Sequence, residues 1–200
     1  MIRVDIKKQI GRLEFSLNKT FGDGITLISG PSGAGKTTLL KMIAGLIKPD
    51  EGIIAFNNLP WFDSRVRINV QPQYRKIGFV FQDYALFPNM SVRQHLEYAT
   101  TDIAWIERLL KLGRLENFAT QRPHQLSGGQ QQRLAILRAL AIKPQLILMD
   151  EPFSALDQKT KTTLIAELQI IFKELKVPIL IVSHNPQDIA GIYDDEMAIE

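Results

Sequence analysis

The sequence contains no cysteine, which excludes a disulfide framework and a thiolate metal site. It also lacks long hydrophobic runs. Charged, alternating residues follow Met1 in place of an apolar signal core, and no uncharged apolar run approaches the roughly 18–20 residues that span a bilayer. The net charge is only +3, with Lys and Arg scattered among acids, so no basic patch for nucleic acid appears. These absences predict a soluble chain that binds no nucleic acid and can join a membrane assembly only as a peripheral subunit.

What is present is the composition of an ordinary folded protein. Hydrophobic residues make up 45% of the 200 positions, enough for a sizeable core in one domain. The alternating segments IRVDIK and LEFSL predict half-buried antiparallel strands near the N-terminus, and GIIAFN and KIGFVFQ predict further strands. The continuous apolar runs LILMD and PILIVSH predict parallel strands covered on both faces, with helices between them. The fold class is therefore expected to be α/β.

The stretch between Gln82 and Leu126 has a helical pattern, seen in SVRQHLEYA and IAWIERLLKL. We interpret it as a helical subdomain inserted into the sheet-bearing core, with Trp105 in the helical core and His95 and His124 in structural roles. The predicted organisation is a single domain over residues 1–200. Its core comprises residues 1–83 and 127–200, and its helical subdomain covers about 84–126.

A phosphate-binding loop is the clearest motif. The segment GPSGAGKT matches G-x-x-x-x-G-K-[ST] in full, directly after the strand-like run ITLIS and before the helical TTLLKMIAGLI, which should end near Pro49. Lys36 can reach the β- and γ-phosphates of a nucleotide, and the Thr37 hydroxyl can ligate Mg²⁺. A chance glycine turn that caps a helix is the alternative, and the strand and helix on either side disfavour it. The residues assigned to nucleotide binding are Gly30, Pro31, Ser32, Gly33, Ala34, Gly35, Lys36, Thr37 and Thr38.

Two acids follow the apolar strand LILM. Asp150 ends the strand at the edge where α/β sheets bind ligands, and there it can hold the Mg²⁺ shell. The next residue, Glu151, points elsewhere and can act as general base toward an attacking water. The alternative is two solvated acids that begin a turn before Pro152.

Gln82 and His184 end two other predicted strands. Gln82 can touch both the metal shell and the γ-phosphate side, while His184 can donate to the γ-phosphate or orient the water. Taken alone, a surface glutamine and a structural histidine are the commoner interpretations. Both residues become site candidates because of the motifs around them.

A second anion-binding pattern occurs far along the chain. LSGGQ precedes the helical run QQRLAILRAL, and a Ser-Gly-Gly turn that opens a helix presents free N–H groups and a positive dipole end. Ser127, Gly128, Gly129 and Gln130 are therefore assigned to nucleotide binding as well.

The motifs together resemble an ATP-binding-cassette (ABC) ATPase over essentially the whole chain. They occur in the order GPSGAGKTT, FVFQDYALFP, QLSGGQQQR, LILMDEP, SALD and VSH. The resemblance implies the ABC ATPase fold, a P-loop NTPase core with an N-terminal antiparallel β part and an inserted α-helical subdomain. It also implies ATP and Mg²⁺ as cofactors, Glu151 as catalytic base, His184 as switch histidine and Gln82 as Q-loop residue.

The same resemblance implies a head-to-tail dimer of two copies with two ATP molecules at the interface. In that dimer Ser127, Gly128 and Gly129 of one copy face the γ-phosphate held by the other copy, and residues 154–157 communicate across the interface.

One departure from the family pattern concerns adenine. Ile10 occupies the place where many members carry an aromatic residue, and Phe15 is the nearest aromatic, so the adenine contact is left open between them.

A lone cassette with a short helical subdomain resembles the separate ATPase subunit of a bacterial importer, with closer similarity to importers of molybdate, tungstate or sulfate. It implies a place on the cytoplasmic face of the membrane, permease subunits that contact the region of Tyr84, Leu86 and Phe87, and a solute-binding protein. The alternative for those three residues is simple core packing. The given sequence ends soon after His184, so we expect no C-terminal regulatory domain within its 200 residues. A soluble non-transport ABC ATPase, an exporter subunit and a P-loop kinase remain alternatives.

Overall fold

The computed structural model describes residues 1–11 and 13–199, with the backbone alone of Asp188. Arg12 and Glu200, which the predicted domain includes, lie outside the described residues. The strands are β1 (Ile2–Ile10), β2 (Leu13–Phe21), β3 (Gly24–Ser29), β4 (Glu51–Phe56), β5 (Leu59–Asp63), β6 (Ile68–Asn69), β7 (Ile77–Val80), β8 (Leu146–Asp150), β9 (Pro178–Val182) and β10 (Asp195–Ala198). The α-helices are α1 (Lys36–Ala44), α2 (Val92–Glu97), α3 (Ile103–Gly113), α4 (Gly128–Ala141) and α5 (Gln158–Leu175).

The described strands form two sheets. An antiparallel sheet has the order β2-β1-β4-β5-β6, and a parallel sheet has the order β10-β3-β9-β8-β7. The α/β fold with an N-terminal antiparallel part is therefore confirmed, as are the strands predicted from LEFSL, GIIAFN, LILMD and PILIV. The short hairpin of β5 and β6 is not foreseen by the sequence pattern, because β5 contains Pro60 and lacks a clear alternation.

The parallel sheet brings distant parts of the chain to one edge. Every residue of β8 and of β9 is buried, as expected for strands covered on both faces. Val182 at the end of β9 pairs with Ile28 of β3 on one side and with Asp150 of β8 on the other. The loops that follow β3, β8 and β9 therefore emerge side by side, at the edge where such sheets bind ligands.

The segment between β7 and α4 contains α2, α3 and two short 3₁₀ helices, at Glu116–Phe118 and Pro123–Gln125. Trp105 and Leu109 of α3 are buried in the same apolar core as Leu27 of β3 and Ile147 of β8. Trp105 is thus a core residue, as predicted. The division into a core and a subdomain near residues 84 and 126 stays a prediction. No helix among residues 1–11 and 13–199 combines the length and apolar character needed to cross a bilayer.

Helix α1 ends earlier than the sequence pattern predicts, at Ala44 and before Pro49. Gly45 adopts the left-handed conformation, with φ 80, and its N–H donates to the Met42 carbonyl at 3.0 Å. Arg75 then closes this helix end, because its guanidinium donates to the carbonyls of Ile43 at 2.7 Å and Trp61 at 3.3 Å. Arg75 is only 1% exposed, and burial lowers its pKa to about 10. The buried guanidinium of Arg75 therefore connects the C-terminus of α1 to β5 of the antiparallel sheet.

Candidate active site

The phosphate-binding loop links β3 to α1 in a conformation that needs glycine. Gly30 has φ 144, and a Cβ there would collide with the carbonyl oxygen of Ile199. Gly35 has φ 94 and serves as the N-cap of α1 without any side-chain hydrogen bond. The loop can therefore approach a ligand closely with its backbone alone.

The N-terminus of α1 is left open for a ligand. The other four α-helices of the described chain each begin with a side-chain cap, supplied by Ser91, Asp102, Ser127 and Asp157. Helix α1 has neither a side-chain cap nor an acidic residue in its first turn. Its first-turn N–H groups have no intrahelical acceptors, so they and the helix dipole suit the oxygens of a phosphate.

Lys36 supplies the positive charge at this helix start. The residue is 5% exposed, and its Nζ donates to the carbonyls of Gly30 and Pro31, at 2.7 Å each. None of the ion pairs found among the described residues involves Lys36. A buried ammonium whose hydrogen-bond partners are neutral carbonyls favours an anion, so the loop fits the phosphates of a nucleotide.

Thr37 and Asp150 bring two oxygen donors together beside the loop. The Thr37 hydroxyl donates to Asp150 Oδ2 at 2.8 Å, and Asp150 is 3% exposed at the last position of β8. The described residues contain no cluster of three or more His, Cys, Asp or Glu that could hold a metal without further ligands. Mg²⁺ is commonly bound by one or two protein oxygens together with substrate phosphates and water, so this pair fits that ion.

Glu151 is held by its backbone in an unusual conformation. Its φ is 51, a strained value for a residue with a side chain, and its N–H donates to the carbonyl of Val182 at 3.1 Å. The side chain is 10% exposed, and Oε1 lies 3.5 Å from His184 Nε2 without a hydrogen-bond partner among the described residues. Burial raises the pKa of Glu151, and the nearby His184 opposes that shift. A poorly hydrated carboxylate with an unfilled acceptor is suited to take a proton from water.

One cavity of about 240 Å³ joins these groups. The predicted site residues that line it are Ser32, Gly33, Gly35, Lys36, Thr37, Thr38, Gln82, Asp150, Glu151 and His184. Gln82 and His184 each lie two residues beyond the end of a strand, and both are exposed at the cavity rim. The structure therefore brings together residues from four separate stretches, while their individual roles remain predictions.

A second cavity of about 490 Å³ adjoins the loop, beside Gly33, Ala34 and Gly35. Phe15 packs directly on the loop, since a Cβ on Gly35 would lie 2.9 Å from Phe15 Cδ2 and 3.7 Å from Ile10 Cδ1. Ile10 lines both cavities. Ile10 and Phe15, the two candidates for adenine packing, therefore lie beside a cavity that has room for the base of a nucleotide whose phosphates bind the loop.

The LSGGQ segment lies apart from this cavity. Ser127 caps α4 by accepting from the Gln130 N–H at 3.3 Å, and Gln130 Oε1 accepts from the Ser127 N–H at 2.8 Å. Ser127 and Gly128 are exposed, and none of Ser127, Gly128, Gly129 and Gln130 lines the cavity. The N–H groups of Ser127 and Gln130, which were expected to be free for an anion, are thus already hydrogen-bonded inside the turn.

Sequence reasoning missed two polar residues of α4 that contact the functional loops. Gln132 is 1% exposed and hydrogen-bonds to the loop that follows Glu151. Arg138 donates to the carbonyls of Tyr84 at 3.0 Å and Ala85 at 2.6 Å, two residues with positive φ in the loop after Gln82. The only available signal was their placement on a helix whose neighbours are apolar, since nothing local indicates the partners of a buried polar group.

The comparisons with known proteins agree with this geometry. A family model described as ABC transporter matches residues 12–154. The molybdenum import ATP-binding protein ModC of Paramagnetospirillum magneticum is 38% identical over 200 residues, which cover 97% of this chain and 55% of that protein. The ModC protein of Aliivibrio fischeri is 41% identical over 198 residues, covering 98% of this chain and 54% of that protein. The chain spans about half the length of the curated relatives it matches.

Two solved structures are also similar. The dimeric structure of MJ0796, a bacterial ABC transporter cassette, has a TM-score of 0.79 at 32% identity and covers 100% of this chain and 94% of that one. A dimeric post-hydrolysis state of the same cassette, bound to ADP and Pi, has a TM-score of 0.80 at 31% identity with the same coverage of 100% and 94%. Because the family model covers most of the sequence and whole cassettes share the fold, the chain belongs to the ABC transporter family.

Proposed function

We propose that this chain is the ATP-hydrolysing subunit of a bacterial ABC importer. The observation that carries the proposal is the single cavity in which Lys36, Thr37, Asp150 and Glu151 meet beside the uncapped start of α1. Phosphoryl transfer requires chiefly positioning and charge stabilisation, and these four groups supply both.

Phosphate binding is assigned to Lys36 and the first turn of α1. The Lys36 ammonium donates to the carbonyls of Gly30 and Pro31. We expect it to bind β- and γ-phosphate oxygens, while the helix N–H groups bind the remaining oxygens. Thr37 and Asp150 would hold Mg²⁺, which supplies positive charge against the phosphate oxygens when it is bound.

Glu151 is the proposed general base toward the attacking water. Its carboxylate is poorly hydrated and has a free acceptor, so it can take the proton of a water placed next to the γ-phosphate. His184 lies 3.5 Å from it and can hold that water or donate to the γ-phosphate. Gln82, at the cavity rim, is the proposed contact between metal shell and γ-phosphate.

The proposed active unit is a head-to-tail dimer of two copies of this chain. Support comes from the position of LSGGQ, which lies outside the chain's own cavity with an exposed helix start. In such a dimer Ser127, Gly128 and Gly129 of one copy complete the site around the nucleotide of the other. The similar cassette MJ0796 is dimeric in both solved structures.

Transport is proposed from the relatives, which are named molybdenum import ATP-binding proteins. We propose a location on the cytoplasmic face of the membrane, permease subunits as partners, a solute-binding protein in the same system and an oxyanion such as molybdate as cargo. The proposed permease contact is the loop of Tyr84, Leu86 and Phe87. Tyr84 and Leu86 pack partly on the apolar core, in keeping with their alternative interpretation, whereas Phe87 is 38% exposed.

The Glu151→Gln variant tests hydrolysis. It should bind ATP with wild-type affinity, lose about 10²–10⁴-fold in kcat and accumulate as a dimer with ATP and Mg²⁺. The control is Glu174→Gln, which changes an exposed glutamate that pairs with Arg108 on the surface. Undiminished turnover, or a monomer in size-exclusion chromatography with ATP, would contradict the proposal.

Co-purification from native membranes tests transport. A stable permease subunit is the expected result, and ATPase stimulation by the solute-binding protein loaded with molybdate would identify the cargo. Stimulation by nucleic acid or ribosomes, without a membrane partner, would instead indicate a soluble ABC ATPase. Transfer of phosphate to an acceptor molecule would indicate a kinase.

A further inference from the structure

Gln132, in the second turn of α4, is a buried amide whose hydrogen-bonding groups meet the loop that begins at Glu151. It is 1% exposed. Its Nε2 donates to the Glu151 carbonyl at 3.1 Å and to Ser154 Oγ at 3.3 Å, while its Oε1 accepts from the Ala155 N–H at 3.1 Å. A buried amide with several partners is costly to replace and fixes the groups that it contacts.

The contact matters because of the backbone conformation of Glu151. The residue sits at φ 51, and its N–H is tied to β9 through the carbonyl of Val182. Its own carbonyl accepts from Gln132 Nε2 on α4 and also from Ser154 Oγ at 3.2 Å. The two peptide groups that flank Glu151 set the direction of its side chain, and Gln132 helps to hold one of these two groups, both directly and through Ser154.

The same helix also carries the LSGGQ turn at its start. Gly129, in the first turn of α4, lies against the same loop, because a Cβ there would be 3.2 Å from Leu156 Cδ2. Helix α4 therefore contacts the loop after Glu151 at two places, Gly129 and Gln132. Gly129 belongs to the turn that we propose contacts the nucleotide of the other copy. A shift of this helix start therefore has a short route to the Glu151 carbonyl, through the loop contacts of Gly129 and Gln132.

We propose that Gln132 is a positioning residue that aims the Glu151 carboxylate and couples it to the LSGGQ end of α4. The inference rests on the proposed function, in which Glu151 is the general base. Gln132 does not line the cavity of about 240 Å³ and acts through the backbone of Glu151. Loss of its amide should therefore reduce the rate of the chemical step and leave ATP binding, which depends on Lys36 and α1, in place.

The test compares Gln132→Met with a matched control. Gln132→Met keeps the length of the side chain and removes its hydrogen bonds. The control is Gln145→Met, which likewise removes an amide donor to a backbone carbonyl, the Arg75 carbonyl at 2.8 Å, at the opposite end of β8. We expect kcat for ATP to fall about 10–100-fold in Gln132→Met, with KM within about threefold, because a misplaced base slows chemistry and not binding. Gln145→Met should keep wild-type kcat.

A double-mutant cycle separates a positioning role from a general structural one. In the Glu151→Gln background, Gln132→Met should cause no further loss of turnover, because the carboxylate that it aims is gone. A structural defect would lower the remaining turnover by the same factor as in the wild type. Wild-type kcat in Gln132→Met, or additive losses in the cycle, would overturn the proposal.

The outcomes also separate this inference from the proposed function. If the wild type does not hydrolyse ATP, or if Glu151→Gln retains full turnover, the proposed function fails. If both behave as expected and Gln132→Met is fully active, only the positioning role fails. Should Gln132→Met not fold, Gln132→Glu, of nearly identical shape, replaces it with the same expected kcat and KM pattern. Failure of both variants to fold would assign Gln132 to the fold alone and overturn the proposal.

Discussion

Helices α1 and α4 both start at glycine-rich turns that suit an anion, yet their N-termini are finished differently. Helix α1 begins behind Gly35 without a side-chain cap, and its first turn, with Lys36, lines the cavity that Asp150 and Glu151 also line. Helix α4 begins behind Ser127 with a reciprocal capping box to Gln130, and its start is exposed outside that cavity. A helix start without a cap, inside a cavity, leaves its backbone N–H groups available to a ligand bound in that cavity. A capped and exposed start is stable alone and remains accessible to a ligand carried by another molecule.

Removing the charge at the start of α1 should give the largest effect. Lys36→Ala should weaken ATP binding by about 10²–10⁴-fold, because charge-assisted hydrogen bonds to phosphate contribute about 1.5–3 kcal/mol each. Isothermal titration calorimetry with ATP and Mg²⁺ measures this. Lys48→Ala, which removes one exposed positive charge near the end of the same helix, should bind ATP normally. Retained affinity in Lys36→Ala would contradict the assignment of the phosphate loop.

The other end of α1 offers a test of stability. Arg75→Met should lower the free energy of unfolding by about 3 kcal/mol, since buried carbonyls such as those of Ile43 and Trp61 lose their donor. Arg108→Met, which breaks the exposed pair with Glu174, should cost less than about 1 kcal/mol. Urea unfolding of the two variants makes the comparison. Equal losses would mean that Arg75 does not anchor the helix.

Changing the start of α4 should separate binding from turnover. Ser127→Arg should leave ATP affinity of the single chain unchanged and reduce turnover about 100-fold, because the bulky cation blocks the donors meant for the other copy's phosphate. The matched control is Ser91→Arg, which breaks the capping box of α2 with Gln94. Each variant loses about 1 kcal/mol of capping, and only Ser127→Arg should lose turnover. A similar loss in both would assign the effect to capping alone.

The smallest predicted effect concerns His95, whose ring stacks on Phe87, beside which Arg138 of α4 also lies. His95 Nε2 accepts from the Phe87 N–H at 2.9 Å, and burial lowers the pKa of His95, with Arg138 acting in the same direction. A depressed folded pKa contributes stability that is present above the unfolded value of about 6.5 and is lost as the pH falls toward the folded pKa. The free energy of unfolding should therefore decrease between about pH 7 and pH 5.

Substitution of the histidine isolates this pH dependence. His95→Gln should flatten the dependence and cost about 1 kcal/mol at neutral pH, whereas His124→Gln, at an exposed position, should change neither. Chemical unfolding of the three proteins at several pH values provides the measurement. An unchanged slope in His95→Gln would show that other groups cause it.

The contrast between α1 and α4 also shows what sequence can predict here. That the phosphate loop, Asp150, Glu151 and His184 lie together could be predicted, because each follows an apolar strand, and the structure places them around one cavity. Their roles stay predictions.

The end of α1 also has a local signal, the left-handed Gly45, which the helical spacing up to Pro49 concealed. The roles of Arg75 and Gln132 could not be predicted, because they depend on partners far away in sequence. A buried glutamine inside QQQR has the same local pattern as a solvated one, and only the packing of α4 against the loop after Glu151 distinguishes them.

The most direct test of the central claim is a mixing experiment with two inactive variants. Lys36→Ala lacks the phosphate cation and keeps LSGGQ, whereas Ser127→Arg keeps Lys36 and lacks a working LSGGQ turn. If one site is built from α1 of one copy and α4 of the other, a mixed dimer contains one intact site. Equal amounts should then recover up to about a quarter of wild-type turnover, because about half of randomly paired dimers are mixed and each holds one intact site of two. Turnover that stays at the level of the separate variants would contradict the account.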